Sequence, residues 1–490
     1  MTLSAPSIHY IAILPPVILM VAALGLLFLT ALARRKPSTT TATLVGVGAV
    51  VAGLVVVVLQ LVSIWHHGGS TTLSHEIVMD GFSSVVTGGV LTSLLFSLLV
   101  AHDWSVREKS GGAEYQMLAM LAVSGALIMA IANDLIVVFL GLEILSIALY
   151  VMIAFNKKRF KSAESSLKYF ILGGLASSLF FYGAALVYGA TGSTNLSTIS
   201  YFLSFHVLAH PGLLWAGGAL MLVGLSFKCQ AVPFHAWSPD VYEGAPTPVT
   251  GFHASIVWGG AFAALIRVVV STMGTQMDTW RPILFVLCAL STLVGAGMAL
   301  RQTNIKRFLA YTSVSQAGFI FLAVWAGSGR GVSSAVFYLL TYAPTVVASF
   351  AVVGVMGGLG DANHYLERYT GLARRQPVLG GALALLLLAQ LGAPLTTGFY
   401  AKLTALQAGV DAGGAPLALI SILAACIAAF AYLRWVLALF SKEGTETEIV
   451  RVPFATRFTV TCGVVTAVIF GIWPGPLVAL AQHASLLFLP

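Results

Sequence analysis

Apolar runs of about 20 residues, each long enough to cross a hydrocarbon core as a helix, follow one another through nearly all of the 490-residue chain. Fourteen are separable: 8–32, 41–65, 81–101, 114–132, 135–155, 166–189, 213–232, 249–272, 282–300, 308–326, 332–356, 377–409, 415–440 and 456–482. In lipid the backbone must satisfy its own hydrogen bonds, and runs of this length do so as helices. The expected fold is therefore an all-α polytopic membrane protein with about 14 transmembrane helices. Only 9% of the residues are charged and 58% are hydrophobic, whereas a soluble domain carries about 25% charged residues. The first run exceeds a signal-peptide core and lacks a basic segment before it, so it reads as a retained span.

A net charge of +8 would suggest nucleic acid if its placement were ignored. Placement excludes that reading. Lys and Arg gather in the loops after odd-numbered runs, among them Arg34, Arg35, Lys36, Arg107, Lys109, Lys157, Lys158, Arg159, Lys161, Arg301, Lys306, Arg307, Arg374 and Arg375. The loops after even-numbered runs hold only Arg281 and Arg330. Positive loops stay in the cytoplasm, so both termini are expected outside, in the periplasm for a bacterial inner membrane. Lys306 and Arg307 read as topology anchors at a loop edge, and Arg267 and Arg434 as interfacial or interhelical groups.

Cys229, Cys288, Cys426 and Cys462 are scattered through apolar runs with no C-x-x-C spacing. They read as small buried hydrophobes, and no zinc or iron–sulfur site is expected. The chain has neither a G-x-x-x-x-G-K-[ST] loop nor a G-x-G-x-x-G turn after a strand, so nucleotide chemistry is not expected here.

Two regions depart from a simple span. Residues 213–248 and 377–409 are overlong, interrupted by Pro233 and Pro394, and each carries one deep lysine, Lys228 and Lys402. An ammonium in the bilayer costs roughly 3 kcal/mol on insertion scales and normally faces protein or water. The two regions lie five runs apart and so have opposite directions, which suggests inverted repeats with ion sites near the breaks. The chain then divides into three N-terminal helices (1–113), a first five-helix repeat (114–272), a second (273–440) and a C-terminal helix (441–490).

Glu143 lies nine residues after Asp134, about 13 Å along a helix and close to mid-membrane. Paired with Lys228 it could exist charged or neutral, and switching between those states would move a proton. A static buried ion pair that fixes helix packing is the competing reading. For Lys402 the alternative is snorkelling to an interface. His235 and His253 bracket a segment that Pro239, Pro246 and Pro248 bar from continuous helix. Histidine suits proton relay, though either could be an ordinary loop or core residue. Glu164 and Lys168 are four apart and share a helix face, with snorkelling again the rival for Lys168.

Together these segments resemble a known family. The run VPFHAWSPDVYEGAPTPVT, with Lys228 five residues before its first proline, is similar to the signature of the subunit N family of proton-pumping NADH:quinone oxidoreductase, respiratory complex I. NDLIVVFLGLEILSIALYVMIA, ESSLKYFILGGLASSLFFYG, NIKRFLAYTSVSQAGF and GAPLTTGFYAKL agree with it. Cation/proton antiporter subunits and subunits L and M of the complex usually read LPxAHxxAP where this chain has SPDVYEGAP. The resemblance implies fourteen helices with inverted repeats, a proton channel built on the Glu143–Lys228 pair, and Lys402 on its exit side. Lys168 matches the lysine of the family's KYF segment. It also implies partners: subunit M, the small membrane subunits and the lipid bilayer. No cofactor is expected in this chain; FMN and iron–sulfur clusters belong to partner subunits, and the quinone is used by the complex without binding here. One departure is plain: Trp258 stands where the family commonly has a lysine on the eighth span, and His253 is the candidate replacement. A cation/proton antiporter subunit and a non-pumping structural subunit are the alternative functions.

Overall fold

The computed structural model describes residues 8–32, 37–109, 112–156, 159–208, 211–442 and 449–484. Arg34, Arg35, Lys36, Lys157 and Lys158 lie outside these described residues. In chain order the first helices are α1 (Tyr10–Leu32), α2 (Thr39–His67), α3 (Gly81–Arg107), α4 (Glu114–Ile131), α5 (Leu135–Ile153), α6 (Phe160–Thr191), α7 (Leu196–Phe205), α8 (Gly212–Lys228) and α9 (Ser238–Gly244). The chain continues with α10 (Thr247–Thr272), α11 (Met277–Ala299), α12 (Ile305–Trp325), α13 (Gly329–Met356) and α14 (Pro377–Leu391). It ends with α15 (Thr397–Asp411), α16 (Ala415–Phe440), α17 (Phe454–Ile472) and α18 (Gly475–His483).

Among the described residues twelve helices are long and apolar enough to cross a membrane, fewer than the fourteen expected. The two that fail are the interrupted regions. α8 stops at Lys228 after 17 residues, before Pro233, and the chain runs without regular helix to α9. The other region is split into α14 and α15, of 15 residues each. The last expected span, 456–482, is also cut short: α17 ends at Ile472, and Pro474 starts the separate α18. Among the described residues the fold is helical apart from one antiparallel hairpin, β1 (Ser70–Thr72) with β2 (Ile77–Met79), in the polar stretch after α2.

Close helix packing rests on small residues, as expected where no hydrophobic force drives helices together in lipid. A Cβ on Gly183 of α6 would lie 2.6 Å from the Gly217 carbonyl of α8. Large apolar side chains instead point outward, for example Ile147, Phe170, Ile171, Phe430 and Leu437. Cys229 and Cys288 are buried, but Cys426 is exposed, which corrects the expectation of four buried thiols. It shares the outward stripe of α16 with Leu419, Ile422, Leu423 and Phe430, at the three- and four-residue spacing of one helix face.

α10, like α12 and α13, is almost wholly enclosed, and it is not a uniform α-helix. His253–Val257 and Arg267–Thr272 are π-helical turns. The Ser255 hydroxyl donates to the Gly251 carbonyl (2.9 Å), and the Thr272 hydroxyl to that of Arg267 (3.1 Å). Arg267 is interhelical: Nη2 pairs with Asp80 at 2.8 Å and Nε donates to the Ala130 carbonyl at 2.9 Å. Arg434 likewise donates to the Leu300 carbonyl that ends α11.

Two junctions mirror each other. Asp134 caps α5 by accepting from the Ile136 amide and bridges Asn195 after α6. Asn304 caps α12 by accepting from the Lys306 amide and bridges Tyr365 after α13.

Candidate functional site: a polar axis between two broken helices

α8 ends inside the bundle, and Lys228, its last residue, is 1% exposed. Its ammonium donates to the Tyr169 hydroxyl at 3.0 Å. It lies 4.7 Å from the Tyr169 ring, 5.6 Å from that of Phe227 and 5.8 Å from that of Tyr150. Aromatic faces attract a cation, and a helix C-terminus also favours positive charge. These contacts, rather than a carboxylate, surround the ammonium.

The expected Glu143–Lys228 contact is absent. No ion pair within 4.0 Å joins them among the described residues, and Glu143 Oε1 is buried without a hydrogen-bond partner. Tyr150 of the same helix lies near the ammonium. It follows Glu143 by seven residues on the same face of α5, about 10 Å along the helix, and it is Tyr150 that reaches Lys228.

From Lys228 the polar line continues. The Tyr169 hydroxyl is 3.2 Å from His253 Nε2, and His253 Nδ1 is 3.5 Å from the Gln230 amide nitrogen. That nitrogen donates to the Tyr242 hydroxyl at 2.7 Å. Ser313 of α12 lies beside Tyr242, and its hydroxyl is 2.7 Å from that of Tyr342 on α13. Trp258 does not donate a proton here; it stacks on Tyr342 with ring centroids 5.0 Å apart. His253 and Trp258 are five residues apart across a π turn. With i→i+5 bonding, five residues come closer to one full turn than in an α-helix. Both side chains can therefore meet the same line.

One turn along α13 from Tyr342, Tyr338 donates to Gln316 Oε1 of α12. The Gln316 amide donates to the Gln390 carbonyl (2.6 Å) and the Tyr432 hydroxyl (3.3 Å). Gln390 adjoins Leu391, the last residue of α14, whose carbonyl accepts from Lys402 at 2.6 Å. Lys402 is thus a buried cap on a helix C-terminus, with its ammonium 5.0 Å from the Phe319 ring, and it does not snorkel. Its side chain crosses Gly392, where φ is +89° and a Cβ would meet Lys402 Cδ at 3.1 Å.

Lys168 and His235 lie apart from this line. Lys168 is half-exposed and pairs with Glu164 and Asp240, each at 2.8 Å; Tyr169, its neighbour, is the residue in the axis. His235 Nδ1 has no partner, and its ring is 6.4 Å from that of Tyr311. Arg307 pairs with Asp240 (2.8 Å) and Glu243 (3.1 Å), and Lys161 with Glu243 (2.8 Å), forming a charged surface network around α9. Lys306, expected as a loop-edge anchor, is 0% exposed and pairs with the buried Asp361 at 3.1 Å. Sequence reasoning also missed Tyr169, Gln230, Tyr242, Ser313, Gln316, Tyr338, Tyr342 and Gln390. The available signal was glutamine at positions 230, 316 and 390 within otherwise apolar segments. Among the described residues no group of three or more His, Cys, Asp or Glu could hold a metal.

The family profile described as "NADH:quinone oxidoreductase/Mrp antiporter, TM" matches residues 132–428, the stretch that contains the axis from Lys228 to Lys402 apart from Tyr432. The chain is 38% identical to NADH-quinone oxidoreductase subunit N of Salinispora arenicola, covering 99% of both chains. It is 37% identical to the subunit N of Chloroflexus aggregans over 89% of each. Among solved structures, a chain of respiratory complex I from Thermus thermophilus with bound aureothin superposes with a TM-score of 0.81 and 32% identity, covering 96% of this chain and 99% of that one. A chain of the Mrp complex from Dietzia superposes with a TM-score of 0.84 at 20% identity, over 96% of each, which is a likeness of fold. The chain belongs to the NADH-quinone oxidoreductase subunit N family, the antiporter-like membrane subunits of complex I.

Proposed function

We propose that this subunit translocates protons along the line Lys228–Tyr169–His253–Gln230–Tyr242–Ser313–Tyr342 and onward past Tyr338 and Gln316, from which bridging water would carry the proton to Lys402. The carrying observation is the Tyr169 hydroxyl, which contacts both the Lys228 ammonium and the His253 ring. In the proposed step Lys228 gives a proton to the Tyr169 oxygen while Tyr169 gives its own to His253 Nε2. The lysine ends neutral and the imidazole charged. The step requires hydrogen on His253 Nδ1, and rotation of the Gln230 amide would offer it Oε1, which is now unpartnered. The turn of helix between Tyr342 and Tyr338, about 5.4 Å, is a place for a bridging water. Beyond Lys402 a cavity of about 980 Å³ lined in part by Ser334, Thr404 and Gln407 would carry the proton out.

Glu143 would act at a distance, its charge stabilising the Lys228 ammonium across the low-dielectric interior. Electron transfer from NADH to quinone would occur in partner subunits, which hold FMN and the iron–sulfur clusters, while this chain supplies translocase activity without a redox centre. Subunit M and the small membrane subunits would be its neighbours. The basic loops would face the cytoplasm and both termini the periplasm. The mirrored Asp134–Asn195 and Asn304–Tyr365 junctions support inverted repeats over 114–272 and 273–440. The test is Tyr169→Phe in the intact complex, reconstituted in vesicles. Fewer protons should be moved per NADH oxidised, with assembly retained. A normal proton yield would refute the route, and coupled Na⁺ uptake would favour an antiporter subunit instead.

A further inference from the structure

The segment Ala245-Pro246-Thr247-Pro248 joins α9 to α10 in the interior, and it is poorly equipped to hold itself. Pro246 and Pro248 have no amide hydrogen, so Thr247 supplies the only N–H between them. That N–H donates to Asp361 Oδ2 at 3.0 Å, and the Thr247 hydroxyl to Oδ1 at 2.6 Å. The Ala245 carbonyl accepts from Lys306 Nζ at 2.6 Å, and the same ammonium reaches Asp361 Oδ2 at 3.1 Å.

Asp361 is itself held from elsewhere. It sits in the left-handed region, φ +54°, after Gly358 (+67°) and Gly360 (+73°). A non-glycine residue there is uncommon and persists where its surroundings over-determine it. The Gly360 amide donates to the Glu108 carboxylate at the end of α3 (3.0 Å), and His364 Nε2 lies 2.8 Å from Asp361 Oδ1. The His364 carbonyl accepts from the Ile305 amide, tying the loop to the start of α12, and Arg159 approaches Asp361 Oδ2 at 3.6 Å.

We propose that Asp361 and Lys306 form a latch that positions the α9–α10 break, and through it Tyr242, in the polar axis. These are positioning residues, not proton carriers. The inference rests on the proposed route only for its effect on pumping. Tyr242 lies three residues before Ala245, and its carbonyl accepts from the Thr250 hydroxyl at 3.2 Å, so Tyr242 is tied to the break.

The test compares Asp361→Asn with Thr247→Val in the assembled complex. Thr247→Val leaves the Lys306–Asp361 charge pair intact and serves if Asp361→Asn fails to assemble. Amide hydrogen exchange is followed across residues 243–252, together with protons moved per NADH oxidised. Weakening the hydrogen bonds to the charged Asp361 should speed amide exchange at position 247 by about tenfold while α12 and α13 keep their protection, and the proton yield should fall. Unchanged exchange in both variants overturns the latch. Faster exchange with a normal proton yield supports the latch and counts against the route through Tyr242.

Discussion

At the first break, Lys228 ends α8 with its ammonium among three rings and one hydroxyl; at the second, Lys402 sits within α15 and reaches back to the last carbonyl of α14. The two look alike in sequence, each a deep lysine in a proline-interrupted span. Their acceptors differ in kind. A tyrosine hydroxyl accepts one proton and passes on another, whereas a backbone carbonyl only accepts. In the proposed route the first lysine therefore enters a relay. The second ties the two halves of a broken helix, and any proton it releases must leave by another contact. A shared sequence pattern does not carry a shared role when the partner comes from another helix.

Substitutions can break this contrast. Lys228→Met should have the largest effect, a fall in pumping-coupled turnover of roughly 100-fold, the lower range for a positioned proton-transfer group. The complex should still assemble, since an ammonium without a carboxylate contact is replaced by an apolar side chain. Vesicle acidification per NADH and the melting temperature of the complex check both parts. Tyr169→Phe and His253→Ala should each cost about tenfold, because water can substitute for part of the line. Lys402→Met should lower turnover by only about threefold and destabilise the α14–α15 junction by about 1 kcal/mol, the scale of a lost cap; hydrogen exchange near Gly392 and proton yield would show it. Equal losses for the two lysine variants would erase the contrast.

The smallest effect is expected from acid. Burial alone would raise the Asp361 carboxyl, but the Lys306 ammonium, His364 and the Thr247 hydroxyl hold it well below the usual carboxylate range. A depressed folded pKa contributes stability above the unfolded value, about 3.9, that is lost only as pH falls through the folded one. Exchange at Thr247, corrected for intrinsic rates, should therefore stay flat from about pH 8 to 5. A rise within that window would show that Asp361 titrates there.

The spans, the two breaks and the deep lysines were legible because a charge or proline within an apolar run stands out one residue at a time. The line between the lysines was not. Tyr169, Tyr242 and Tyr342 are amphipathic residues that fill cores everywhere, and only their mutual distances mark them as a path. Lys306 read as a loop anchor because its partner lies 55 positions away, in a loop with no apolar pattern to align. Glu143 and Lys228 were paired on depth and on the resemblance, and neither reveals that aromatic rings rather than a carboxylate line the ammonium. The family resemblance supplied the expected pair and also the question of Trp258, which the stacking on Tyr342 answers as packing rather than proton donation.

The two wide turns of α10 begin at its only titratable residues, His253 and Arg267. Each acts as a local insertion: one residue is taken up in a loop of the spiral, and the helix on either side keeps its own register. The span therefore has one adjustable position at each of its two titratable side chains, and the apolar stretch Trp258–Ile266 keeps its packing between them. A one-residue deletion within His253–Val257 should leave that stretch in place while moving the imidazole away from Tyr169. In protein-engineering terms, the address of the histidine can be edited without rewriting the helix that carries it.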